Sequence, residues 1–73
     1  DDEINLKLIL PSKSNVDISL LNIQGETVYF QSFPDIMSGL NIYSLDTKDL
    51  NNGMYFIKIN TGQTQEIKRI LKF

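Results

Sequence analysis

Apolar and polar side chains alternate along most of this chain, the period-two pattern of strands that bury one face and wet the other. Ile4, Leu6, Leu8 and Leu10 alternate with Asn5, Lys7 and Ile9, and Pro11 ends the run by removing a main-chain donor. Pro11 to Asn15 reads as a turn. Val16, Ile18 and Leu20 then alternate with Asp17 and Ser19 in a second strand expected to reach Ile23. Gln24-Gly25-Glu26 has the form of a tight hairpin turn, because Gly25 can take a positive φ that a residue with a Cβ resists. A third strand, Thr27 to Phe33, is expected to pair antiparallel with the second.

Pro34 and Gly39 bracket an expected loop holding Asp35 and Ser38, followed by a fourth strand from Leu40 to Leu45. Leu50 is expected to plug the core from the next turn. Asn51-Asn52-Gly53 is the strongest turn signal, since Asn and Gly tolerate left-handed backbone at least cost. It launches a fifth strand in which Tyr55, Ile57 and Ile59 share one face and Met54, Phe56 and Lys58 the other. Asn60-Thr61-Gly62-Gln63 turns the chain into a last strand, Thr64 to Phe73. No window keeps helical spacing with matching caps. Short strands at regular spacing predict an all-β, antiparallel, immunoglobulin-like sandwich of six to seven strands.

The length of 73 residues limits the core, because a domain this small buries only about 60% of the surface its unfolded chain exposes. With neither Cys nor His, the chain builds no disulfide framework and no zinc site, and nucleophile-base pairs that use those residues are excluded. A net charge of -2 argues against a nucleic-acid partner. The charge is uneven: six of nine acids lie at or before Asp35, while Lys68, Arg69 and Lys72 crowd the end. No apolar run approaches the roughly 20 residues of a membrane-spanning helix, so no transmembrane segment is expected.

Several stretches together resemble a known family. Asn15-Val16-Asp17-Ile18-Ser19-Leu20-Leu21-Asn22-Ile23-Gln24-Gly25-Glu26-Thr27-Val28 is similar to the hairpin "N-V-x-I-x-I-Y-D/N-x-x-G-x-x-V" of the type A carboxy-terminal sorting domains of the Bacteroidetes type IX secretion system. Gly39-Leu40-Asn41 and Leu45-Asp46-Thr47 resemble the family's "G-x-N…L-D-x-S/T". Leu50-Asn51-Asn52-Gly53-Met54-Tyr55-Phe56-Ile57-Lys58-Ile59 resembles "L-x-x-G-x-Y-F-V-x-I", and Lys68-Arg69-Ile70-Leu71-Lys72 resembles the closing strand "K-K/R-I-L-x". The likeness runs in order through nearly the whole chain. It departs at the start, where the family carries a "Y-P-N-P" segment about one strand earlier, so the resemblance implies that residues 1–73 are one sorting domain trimmed at its N-terminal strand.

The resemblance implies an address rather than a reaction: no enzyme activity, no cofactor, and passage of an exported cargo from the periplasm to the cell surface or medium. The implied partners are the outer-membrane translocon, a shuttle protein and a cell-surface sortase that removes the domain. Lys68, Arg69, Lys72 and Phe73 are the candidate recognition residues, and Gly25, Gly39, Asn41, Asp46, Leu50, Gly53 and Tyr55 are the structural motif. The same cations also suit a solvated, protected sheet edge. A second reading is an accessory adhesive or carbohydrate-binding sandwich, with Tyr29, Phe30, Phe33 and Phe56 as a sugar-stacking platform or, more simply, as core. Asp46, Asp49 and Asn51 depart from the spacing of a calcium loop and lack its distal Glu.

Overall fold

The computed structural model describes residues 3–62 and 64–73; Asp1, Asp2 and Gln63, the last within the expected fifth turn, lie outside the described residues. The described chain forms six strands: β1 (Glu3–Leu10), β2 (Ser14–Leu21), β3 (Thr27–Ile36), β4 (Gly39–Asp46), β5 (Gly53–Asn60) and β6 (Gln65–Lys72). All pairings are antiparallel. A two-stranded sheet, β1-β4, faces a four-stranded sheet in the order β3-β2-β5-β6. The architecture is the immunoglobulin-like sandwich that the alternation predicts.

The period-two pattern sets which side chains enter the core. β2 buries Val16, Ile18 and Leu20, and β5 buries Tyr55, Ile57 and Ile59. Register places Ile18 beside Ile59 and Leu20 beside Ile57 across the β2–β5 ladder. The smaller sheet contributes Leu8, Leu10 and Leu45 from above, with Ile4, Leu6 and Tyr43 packed at the margin. Fully burying such aliphatic side chains stabilises by about 1.5–3 kcal/mol each, the main force available to a chain without cross-links. Leu50 packs against this cluster from the β4–β5 turn, as expected.

Several boundaries differ from the sequence reading by a residue or more, and two of the differences have a clear local cause. The second strand ends at Leu21, not Ile23, because Asn22 converts the next residues into a five-residue hairpin loop. Its Oδ1 accepts from the N–H of Gln24 at 3.0 Å and of Glu26 at 2.9 Å, while its Nδ2 donates to Glu26 Oε1 at 2.8 Å. Ile23 is left exposed. Gly25, at φ 86, supplies the left-handed residue this loop requires.

The expected Pro34–Gly39 loop is mostly strand, since β3 runs through Pro34 to Ile36. Proline is tolerated there because β3 is a sheet edge, where an absent donor breaks no ladder bond. A register shift between Ser14 and Val16 marks a bulge at Pro34-Asp35. Asp35 takes φ 55, and its N–H donates to Asn15 Oδ1 at 3.0 Å. A second shift, between Leu20 and Leu21, lies at the other end of the same strand pair.

Candidate functional site

The terminal strand β6 pairs with β5 on one side, and among the described residues no strand pairs with its other side. Alternation along β6 separates the cations that the sequence clusters. Lys68 lies opposite Ile57 and Arg69 opposite Phe56, so the two project from opposite faces of the sheet. Both are exposed. Lys58 on β5 faces the same side as Arg69, opposite Ile67. Phe73 lies past the end of β6 and is 82% exposed.

Lys72 differs from the other cations. It is half-buried, and its Nζ donates to the main-chain carbonyls of Thr47 and of Leu50, the latter at 2.6 Å. Those carbonyls belong to the turn closed by the Leu50 N–H donating to Thr47 O at 3.0 Å. Lys72 therefore holds the turn between β4 and β5 against the last strand. The reading of three equivalent solvent-facing charges is corrected on this point: two are exposed, and the third is a structural tie.

The motif residues sit at turns and their flanks. Gly25, Gly39 and Gly53 have φ of 86, 104 and 150, a region that L side chains rarely adopt. Asn41 Nδ2 donates to Met37 O at 3.1 Å and to Gly39 O at 3.3 Å, closing the β3–β4 corner. Asp46 Oδ1 accepts from the Lys48 N–H at 3.1 Å. Tyr55 is buried, and its hydroxyl donates to Asn51 O at 2.6 Å, which pins the turn that starts β5. These residues fix how the strands are connected. Sequence reasoning missed Asn22, Asn15 and the Thr61–Thr64 pair, where Oγ1 atoms lie 2.9 Å apart; Asn followed closely by Gly was the available signal for the first.

The aromatic residues divide between the two faces of the large sheet. Tyr29 and Phe33 point inward, where Phe33 meets Tyr43 at a centroid distance of 4.7 Å and a tilt of 45°. Phe30 is exposed on the outer face, and Phe56 is half-buried there, two strands away. The core reading thus holds for Tyr29 and Phe33 and is corrected for Phe30 and Phe56. Burial raises the Tyr43 phenol above its ordinary 10.0, and its hydroxyl is out of solvent with no hydrogen-bond partner. Among the described residues no group of three or more acidic side chains converges as a metal site would require, and no helix is long and apolar enough to cross a membrane.

A cavity of about 240 Å³ opens between the sheets beside β6, walled by Ile4, Leu20, Leu50, Tyr55 and Ile70, with Lys72 at its rim. Its walls are mainly apolar, with Glu3 and Thr47 also contributing to the lining. The molecule is a small β-sandwich whose last strand leaves one edge open and carries the exposed cations Lys68 and Arg69. The sequence profile of the secretion system C-terminal sorting domain matches residues 1–72. The chain belongs to that family, the C-terminal sorting domains of type IX secretion. No curated protein and no solved structure matches the chain. The family is one of sorting signals, not of enzymes, and its members mark secreted or cell-surface cargo for the type IX machinery.

Proposed function

We propose that this domain is read, folded, by the outer-membrane translocon and its shuttle protein after the cargo reaches the periplasm, and that a sortase removes it at the cell surface. The observation that carries this reading is the family match over residues 1–72. The exposed Lys68 and Arg69 on an unpaired terminal strand support the placement of recognition at β6, because fixed cations orient a partner and speed encounter. Phe73, exposed beyond them, adds an apolar contact at the same end.

The test is a fusion of this domain to the carboxy terminus of a periplasm-directed reporter. Export across the outer membrane in a host with a type IX system, and retention in one without, is the expected result. A reporter held in the periplasm of the competent host, both with this domain and with a version extended upstream, would overturn the reading.

A further inference from the structure

We propose that the free edge of β6 is a strand-addition site for an extended acidic segment of a partner protein, which seats one apolar side chain in the cavity beside Ile70. The partner's identity rests on the sorting reading; the mode of pairing rests on the geometry of β6.

The phase of the last hairpin shows which main-chain groups are available. The Thr61 N–H donates to Thr64 O at 3.0 Å, so these two residues form a hydrogen-bonded pair. Bonded and non-bonded pairs alternate along an antiparallel ladder. The register between β5 and β6 continues without a shift from Asn60↔Gln65 to Gly53↔Lys72. Asn60↔Gln65, Lys58↔Ile67, Phe56↔Arg69 and Met54↔Leu71 are therefore the non-bonded pairs. The N–H and C=O groups of Gln65, Ile67, Arg69 and Leu71 point away from β5, toward the open side.

The opposite edge of the same sheet is defended. β3 carries Pro34, which has no N–H, and the β2–β3 ladder breaks register at both ends. Bulges and proline are standard blocks to pairing. β6 has neither, so four of its eight residues, Gln65, Ile67, Arg69 and Leu71, present an even row of donors and acceptors. The charge of β6 selects what pairs with it. Lys68 and Arg69 stand exposed on its two faces, with Lys58 behind Arg69, against the single carboxylate of Glu66. An added strand with acidic side chains matches them, whereas the free edges of β1, with Glu3 and Lys7, and of β4, with Asp46, carry no such excess.

The cavity adds an anchor at one end of the edge. Ile70, Leu71 and Lys72 form part of its wall and Glu3 and Ile4 of β1 also line it, so a residue paired beside β6 places an inward side chain at its mouth, where an apolar side chain suits the site better than a second carboxylate beside Glu3. Main-chain bonds then supply affinity, and the pocket with the cations supplies selection.

The probe is a fluorescein-labelled peptide, Val-Glu-Val-Glu-Val-Glu-Val, titrated by anisotropy into the 73-residue chain. Saturable binding is expected, weaker by about tenfold or more for the same peptide with Lys in place of Glu and for one N-methylated at alternate residues. Ile67→Pro removes a donor only from the open side and should lose binding by a similar factor, while Ile67→Ala keeps it. Equal binding of the N-methylated peptide, or of the Lys peptide, overturns the proposal. So does concentration-dependent dimerisation that Ile67→Pro abolishes without any peptide binding, since the occupant is then a second copy of this chain. None of these results bears on whether the reporter fusion is exported, so failure of edge pairing and failure of the sorting reading remain distinct.

Discussion

The ammonium of Lys72 donates to the carbonyl of Leu50 at 2.6 Å, joining the last strand to a turn that precedes it by 22 residues. The same group also reaches Thr47 O. A hydrogen bond to a charged group contributes about 1.5–3 kcal/mol when sheltered, and half-burial places Lys72 toward the lower end. Lys72→Ala is therefore expected to lower the thermal midpoint by roughly 5–10 °C in a domain of this size. Lys68→Ala, at an exposed position, should shift it little. Equal midpoints in calorimetry would show that the tie contributes nothing.

Two tyrosines should respond oppositely to loss of the hydroxyl. Tyr55 donates to Asn51 O at 2.6 Å from a buried position, so Tyr55→Phe leaves a carbonyl without its partner and should cost about 1 kcal/mol or more. Tyr43 buries a hydroxyl with no partner, and Tyr43→Phe should be neutral or stabilising. Urea titration of both variants measures the contrast. A larger loss for Tyr43→Phe would contradict the hydrogen-bond assignment.

The same burial predicts an alkaline limit. Desolvation raises the folded-state Tyr43 phenol above its ordinary 10.0, so the neutral phenol contributes fully below that value. The contribution is lost as pH rises through the folded value, because the unfolded state releases its proton first. Stability measured above pH 10 should fall less steeply in Tyr43→Phe than in the parent chain. Identical slopes would remove Tyr43 from the account.

Gly53 begins β5 at φ 150, with nothing within 4 Å of where a Cβ would stand. The obstacle to substitution is thus backbone conformation, not space. Gly53→Val should cost about 1–3 kcal/mol. Lys13→Ala removes only an exposed ion pair with Asp35 at 4.0 Å and should be nearly silent. Matching melting curves for the two would count against a strained Gly53.

Alternation made the core legible before any coordinates: Val16, Ile18, Leu20, Tyr55, Ile57 and Ile59 are all buried. It could not identify sheet edges. Pro34 reads as a breaker in any strand, yet on the β3 edge it costs no ladder bond, and the strand continues to Ile36. Composition alone does not say which apolar residues lie outside, but their phase does. Ile9, Leu40 and Ile42 belong to strands whose inner positions are filled by Leu8, Leu10, Tyr43 and Leu45, so their period places them in solvent despite their chemistry. The Lys72 tie was hidden for another reason. Its partner is main chain, brought near only when two sheets stack, and main-chain acceptors leave no mark on the sequence.

That hidden tie changes how the basic strand must be tested for recognition. Replacing Lys68, Arg69 and Lys72 together would remove a structural bond along with the two exposed charges, and a retained reporter could then reflect an unfolded address. The informative pair is Lys68→Gln with Arg69→Gln in one reporter fusion and Lys72→Ala alone in another. Exposed cations contribute little to folding, so the double variant should keep the parent's thermal midpoint. If Lys68 and Arg69 meet the secretion machinery, that folded variant should leave the reporter in the periplasm of a competent host. Added salt should mimic the effect on binding in vitro, since a Debye length near 8 Å at physiological ionic strength shortens as salt rises. The Lys72→Ala fusion should instead show loss of export that tracks loss of stability and recovers at lower growth temperature. Full export of the folded double variant would assign β6's exposed charges to edge protection alone, and recognition would then belong to another surface of the sandwich.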